Sequence, residues 1–245
     1  MLKKALKSFY HKHYRFKKVK ILSRTACLGD EIIKKIGWSK NCINHQKSRV
    51  DYLLALASDS SISPKPEEII KYLKNKFIIG TIKQQKKDFF GYKKPDIIIM
   101  DSFSELTDQM FIDTNSNRRF LANYGDIQHE LLPNHYVCSG LIESDLYKVY
   151  DLFFKKISEV YKNTPLYFVH FSAILDTKEK FRDREKEIKN AILSCSKKYL
   201  FIKIIDIDDS EIEWSDEGDD EYKELPYHYS KETYNLFTKK LKEEL

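Results

Sequence analysis

Lys18-Val19-Lys20-Ile21-Leu22-Ser23-Arg24-Thr25-Ala26-Cys27-Leu28-Gly29-Asp30-Glu31-Ile32-Ile33 is the stretch whose reading decides the fold. Val19 to Leu22 is a short apolar run that reads as a buried strand. Ser23 to Asp30 is a polar turn that holds every small or nucleophilic side chain in the neighbourhood. From Glu31 the pattern turns helical, with Ile32, Ile33 and Ile36 on one face. Strand, tight turn and helix is the unit with which α/β enzymes present a nucleophile. The turn projects a side chain at the carboxyl edge of a sheet, and the helix start offers backbone N–H groups to an anion. The same unit joins strands in any α/β fold, so a partner in space is required. The expected partner is Pro226-Tyr227-His228-Tyr229-Ser230-Lys231-Glu232 at the far end of the chain.

Outward from that stretch, strand-like and helix-like segments alternate. Val50 to Ala57 reads as a second strand, bounded by the turn-rich Ser58 to Pro64. Glu67 to Lys76 reads as a helix, with Pro66 in its first turn and Ile69, Ile70 and Leu73 on one face. Ile97-Ile98-Ile99-Met100 is the strongest strand signal, a continuous apolar run suited to a central parallel strand covered on both faces. Residues 106–140 have no clean period and read as an irregular insertion over the sheet edge. Ser144 is placed to cap a helix from Asp145 to Lys162. Leu166 to Phe171 is a strand, Lys178 to Lys197 a long charged helix, Tyr199 to Ile205 the last core strand, and Ser230 to Leu245 a closing helix. Met1 to Lys20 begins as a basic arm (1–17), and Asp206 to Glu224 is strongly acidic. Such alternation predicts one domain over 1–245. Its class is α/β, a three-layer α/β/α sandwich with a mostly parallel central sheet.

The bulk composition agrees with a folded core. Of 245 residues, 42% are hydrophobic and 33% charged, and glycine and proline number only 7 and 6, which excludes collagenous and low-complexity classes. The net charge is +6 and its lysines are spread over several expected helices, the pattern of solvated faces rather than of a nucleic-acid stripe. Cys27, Cys42, Cys138 and Cys195 are far apart, with neither metal-ligand spacing nor the density of a disulfide scaffold. The basic N-terminus has no apolar h-region, so a cytoplasmic protein is expected, with a second option of peripheral contact with the inner face of a membrane through that basic, aromatic arm. No metal is expected: His11 with His13, and His129 with His135, lack a carboxylate at helical spacing, and the acidic run lacks calcium-loop spacing. His170, inside an apolar strand, reads as a hydrogen-bonded core histidine.

Three elements should end at one sheet edge. The first delivers Ser23, Thr25 and Cys27, the Ile97 strand delivers Asp101, Ser102 and Glu105, and the chain end delivers His228. A hydroxyl or thiol with an imidazole is the minimum for acyl transfer, because the ring takes the proton as the nucleophile attacks a carbonyl.

His228-Tyr229-Ser230-Lys231-Glu232-Thr233-Tyr234-Asn235-Leu236-Phe237 resembles the last block of the SGNH (GDSL-like) hydrolases and acyltransferases. In that block a histidine precedes a Ser/Thr/Asn-capped helix. Lys94-Pro95-Asp96-Ile97-Ile98-Ile99-Met100-Asp101 resembles the family's central strand, and Lys20-Ile21-Leu22 with its turn stands where the first block carries the nucleophile. The similarity is closest to a divergent bacterial branch found among surface-polysaccharide genes. It implies a flavodoxin-like sheet and an O-acyltransferase or esterase acting on a carbohydrate or polysaccharide acceptor. No resident cofactor is implied, and an acyl-coenzyme A is the expected co-substrate. Carried onto this chain, it implies Ser23 as nucleophile and His228 as base, with Asp101 in the catalytic group. Thr25 is the second and Cys27 the third candidate for the nucleophile. Thr25, Gly29, Glu105 and Asn123 are the candidates for substrate or oxyanion contacts. Three departures stand out. Leu28-Gly29-Asp30-Glu31 has glutamate where Gly-Asp-Ser has serine, Leu225 replaces the aspartate three residues before the histidine, and there is no Gly-x-Asn-Asp. A dyad oriented by a backbone carbonyl or by Glu224 then has to serve. The alternative class is a non-catalytic carbohydrate-binding or polysaccharide-assembly protein that kept the sheet and lost the triad.

Overall fold

The computed structural model describes residues 20–143, 145–215 and 227–245. The basic arm with His11 and His13, the Ser144 cap, and the acidic run from Asp216 with Glu224 and Pro226 lie outside the described residues.

The chain enters through β1 (Ile21–Arg24), turns into α1 (Cys27–Ile36) and makes the short edge strand β2 (Cys42–Asn44). Helices α2 (Val50–Ser58), α3 (Pro66–Ile69) and α4 (Ile79–Gln85) precede the central strand β3 (Ile97–Asp101). Then follow α5 (Phe103–Thr107) and three strands, β4 (Asp108–Asp113), β5 (Arg119–Asn123) and β6 (Tyr136–Cys138). The remainder is α6 (Leu146–Val160), β7 (Leu166–Val169), α7 (Glu179–Lys198), β8 (Ile202–Ile205) and α8 (Lys231–Glu244).

Five strands pair in parallel in the order β2-β1-β3-β7-β8. Helices α1 and α8 pack together as one layer, while α2, α6 and α7 pack in succession as another. This is a three-layer α/β/α fold. Counted among the parallel strands alone, the order is 2-1-3-4-5, the flavodoxin-type doubly wound order, whose switch point lies between the carboxyl ends of the first and third strands. Here those ends are Arg24 and Asp101. The register sets Arg24 beside Met100 and Asp101 beside Val169, which in turn faces Ile205, so four strands end level.

The strands behave as their composition predicts. Every residue of β1, β3 and β7 is buried, and Ile97, Ile98, Ile99 and Met100 are fully enclosed by helices on both faces. Each such side chain contributes roughly 1.5–3 kcal/mol of transfer free energy.

Three local expectations are corrected. Val50 to Ala57 is helix: Val50, Leu53 and Leu56 recur every third residue and are buried, a period that eight residues display too briefly to separate from a strand. The expected helix over 67–76 stops early. A tight turn at Ile70–Tyr72 hands Leu73 to an antiparallel bridge with Ile127, and Gln128 N–H donates to Tyr72 O at 2.8 Å. The expected irregular insertion contains a three-stranded antiparallel sheet, β5-β4-β6. Its period is hidden because β4 and β5 are buried on both sides. Met110 and Leu121 join the main core, whereas Phe111, Phe120 and Ala122 join a smaller cluster with Ile69, Leu73 and Ile82. Helix α6 is capped by Asp145, whose carboxylate accepts the Lys148 N–H. The Ser230 cap of α8 is present as expected, accepting the Thr233 N–H at 3.1 Å.

Candidate active site at the sheet switch point

The turn between β1 and α1 spans only Thr25 and Ala26. Side chains of the neighbouring strands hold it there. Asn44 Oδ1 accepts the Thr25 N–H at 3.0 Å, and Asp101 Oδ2 accepts the Ala26 N–H at 2.7 Å. Gly29 permits the close approach: a Cβ on it would stand 2.3 Å from Thr25 Cγ2 and 3.3 Å from Asp101 Oδ2. Helix α1 therefore starts at Cys27, four residues earlier than its apolar pattern. Its first internal bond runs from Asp30 N–H to Ala26 O, leaving the amides of Cys27, Leu28 and Gly29 without intrahelical carbonyls.

The three candidate nucleophiles differ in burial. Ser23 is not at the strand end but inside β1, fully buried, with its hydroxyl 3.1 Å from Cys42 Sγ. Thr25 is buried as well, and its Oγ1 has no hydrogen-bond partner. Cys27, at the first position of α1, is the member of the three that lines open space.

Two other candidates lie beneath the turn. Glu105 accepts both of its oxygens' bonds from Arg24 Nη1 at 2.9 Å and also takes the Val50 N–H at 2.9 Å, so it is spent on a dry ion pair and not on substrate. Arg24 Nη2 donates in turn to Asp101 O. Asp101 is buried and accepts the Ala26 and Phe103 N–H groups, which makes it the anchor of the turn. Burial pushes its carboxyl up to about 6, against the opposing pull of Arg24 and the two amides. Gly29 serves by its missing side chain rather than as a contact.

A cleft of about 970 Å³ opens over this edge, walled by Cys27, Phe103, Phe171, Phe181, Tyr227 and His228 on the side of the parallel sheet. Gln109 of β4, Asn123 of β5 and the adjoining Tyr124 also line it. In its satisfied orientation the Asn123 amide donates to Thr107 O at 2.9 Å and accepts from Lys47 Nζ at 3.3 Å. Lys47 adopts φ 53°, unusual for a side chain of its size, and its ammonium is held between Asp108 (3.2 Å) and Asp126 (3.1 Å). Burial alone would lower that ammonium's pKa, but the two carboxylates outweigh it and raise it.

A second cavity of about 490 Å³ also borders Cys27 and is lined by Asp30, Glu31, Lys35, Lys231 and Tyr234. Cys27, Gln46 and His228 line both spaces. The thiol is exposed by area yet sits in a concave wall; burial and the nearby Asp101 raise its pKa above the ordinary value. Burial lowers that of His228. At neutral pH Cys27 is thus a thiol and His228 a neutral imidazole.

His228 is positioned by its neighbours in sequence. Tyr227 Oη donates to Asp176 Oδ2 at 2.5 Å, and Tyr229 Oη donates to Ser172 O at 2.6 Å. The His228 carbonyl accepts the Ser215 N–H at 3.1 Å. Tyr227 also packs its ring on Phe103 and Phe171. Gln46 and Tyr227 have no motif to announce them in the sequence; only the tyrosines flanking a histidine before a capped helix hint at the strap.

Among the described residues, no other histidine lines either cavity. His170 is buried, with Nε2 bonded to Glu185. His129 stacks on Tyr124, whereas His135 lies 3.9 Å from Asp113. No helix among the described residues is long and apolar enough to cross a membrane. Compared with known proteins, the chain matches no family model, no curated protein and no solved structure.

Proposed function

We propose that the protein is an SGNH-like acyl-transfer enzyme, an O-acyltransferase or esterase acting on a carbohydrate, with Cys27 in the place of the expected serine and His228 as its base. The observation that carries this reading is the shared lining: at the switch point of a 2-1-3-4-5 sheet, a helix-start thiol and an imidazole border the same open spaces. A neutral imidazole takes the thiol proton as sulfur attacks the acyl carbon. The amide of Cys27, at the open start of α1, supplies a donor for the oxyanion that forms. Phe103, Phe181 and Tyr227 offer apolar surface and Asn123 a polar group, a combination suited to a sugar ring or an acyl chain. An acyl-coenzyme A is the proposed donor, and surface-polysaccharide acylation in the cytoplasm the proposed setting.

The test is turnover of para-nitrophenyl acetate. Cys27→Ala and His228→Ala should each lower kcat/KM by about a thousandfold or more, and the double variant should be no worse than either, since residues acting as one unit are not additive. Ser23→Ala should keep its rate within about twofold. Loss of activity in Ser23→Ala with a fully active Cys27→Ala would reverse the assignment. A wild type that binds a sugar but neither hydrolyses nor transfers an acyl group would replace the enzyme with a carbohydrate-binding protein.

A further inference from the structure

We propose that the two cavities divide the substrates of one transfer reaction between them. The larger takes the acyl donor, the smaller takes a hydroxyl-rich acceptor, and Cys27 stands in the partition. This rests on the acyl-transfer reading above and makes the enzyme a transferase rather than a hydrolase.

A hydrolase needs one substrate cleft and access for water. Here spaces of about 970 and 490 Å³ meet at Cys27, Gln46 and His228, and both fall in the size range of small-molecule sites. Their chemistry differs. The larger carries the rings of Phe103, Phe171, Phe181 and Tyr227, with Lys178 and Lys180 beside them. Apolar faces next to two ammonium groups fit an acyl group whose leaving portion bears phosphate. The smaller space is richer in charge: beside Tyr229 and Tyr234 it presents Asp30, Glu31, Lys34, Lys35 and Lys231, with Lys34 bridged to Asp30 at 2.9 Å. Alternating carboxylates and ammonium groups can donate to and accept from successive hydroxyls, which an apolar donor cannot repay for their desolvation.

The reaction balances without a redox partner. Cys27 Sγ attacks the donor carbonyl while His228 takes the thiol proton. The adduct collapses to S-acyl-Cys27, and the donor's thiol or alcohol leaves with that proton. An acceptor hydroxyl then reaches the thioester carbonyl from the smaller space. Its proton passes to His228, the C–S bond breaks, and the proton returns to sulfur.

The experiment uses the full chain with para-nitrophenyl acetate as donor and methyl α-glucoside as the hydroxylic probe. The nitrophenolate burst reports acylation of Cys27, intact mass reports the adduct, and the ratio of acetylated glucoside to acetate reports partition. Glu31→Ala and Lys231→Ala alter side chains on the solvent side of their helices and should lower that ratio about tenfold or more. Phe181→Ala should instead slow the burst about tenfold and keep the ratio within about twofold. If both sets of variants change the same half-reaction, or the wild type yields acetate alone at high glucoside, the two-cavity assignment falls. Absence of any adduct on Cys27 overturns the nucleophile itself, and the assignment of cavities with it.

Discussion

Ser23, Arg24, Asp101 and Glu105 occupy the same sheet edge as Cys27, Gln46, Tyr227 and His228, one layer deeper. The inner group is 0–1% exposed, and its charges face one another: Arg24 is clasped by Glu105 and Asp101 O, and Asp101 by two amides. The outer group borders open space and spends its hydrogen bonds on holding a loop, as Tyr227 does with Asp176. Both layers are polar and both come from the same few segments of chain. What separates them is whether the polar atoms are answered inside the protein. A buried charge held by several partners stiffens a turn; a polar group at a concave surface can meet a substrate.

The largest expected effect lies in the inner layer. Glu105→Ala leaves Arg24 charged, buried and unpaired, and removes the acceptor of the Val50 N–H, so it should cost about 3–5 kcal/mol in urea unfolding. A cost below about 1 kcal/mol would mean that water reaches Arg24 and that the two layers are not distinct.

Next comes pH. Burial, with Lys87 adding to it, pushes His45 down to about 4. Between its ordinary value and about 4 the unfolded chain binds a proton that the folded one refuses, so stability falls with acidification, by roughly 3 kcal/mol in all. Asp101 acts in the opposite sense: raised to about 6, it binds its proton more tightly when folded, so acidification from about 6 favours folding. The two slopes offset each other in the wild type. His45→Phe should expose the second, with unfolding free energy that rises as pH drops from 6.5 towards 4. A fall in that variant would show that Asp101 is more solvated than its place in the inner layer implies.

Gly29→Ala tests the contact between layers. Its methyl group would overlap Thr25 and crowd Asp101, at an expected cost of about 1–3 kcal/mol in thermal unfolding, together with lower activity as α1 shifts Cys27. An unchanged melting temperature would show that the turn has slack. Tyr227→Phe is the smallest and the most specific. Losing one hydrogen bond to Asp176 should cost about 1 kcal/mol or less. If the strap positions His228, kcat should fall with KM nearly unchanged, and the acid limb of the rate profile should move. A uniform loss of both parameters would reduce Tyr227 to packing.

Much of the fold was legible along the chain. Ile97 to Met100 announced a central strand because a run of β-branched side chains can be satisfied only by cover on both faces, and Ser230 announced α8 through its capping hydroxyl. Val50 to Ala57 misled because period 3 and period 2 coincide over so short a run. Strands β4 and β5 were hidden because two cores claim their opposite faces, which erases the alternation on which a strand is recognised. In the site, His228 and Asn123 fall on the cleft, but Ser23 does not. Its strand continues through Arg24, because that guanidinium finds Glu105 81 positions away.

Local chemistry in the sequence by itself determined the layered α/β class, the central strand, the closing helix and its cap, and the set of nucleophiles near the first turn. These follow from side-chain pattern and backbone preference within a few residues. Only the tertiary structure decided which of Ser23, Thr25 and Cys27 meets open space. That choice depends on where β1 stops, and β1 stops where Asn44 and Asp101, 19 and 75 positions distant, capture the amides of Thr25 and Ala26. The close seat of Gly29 against Thr25 and Asp101 then makes Cys27 the first residue of α1.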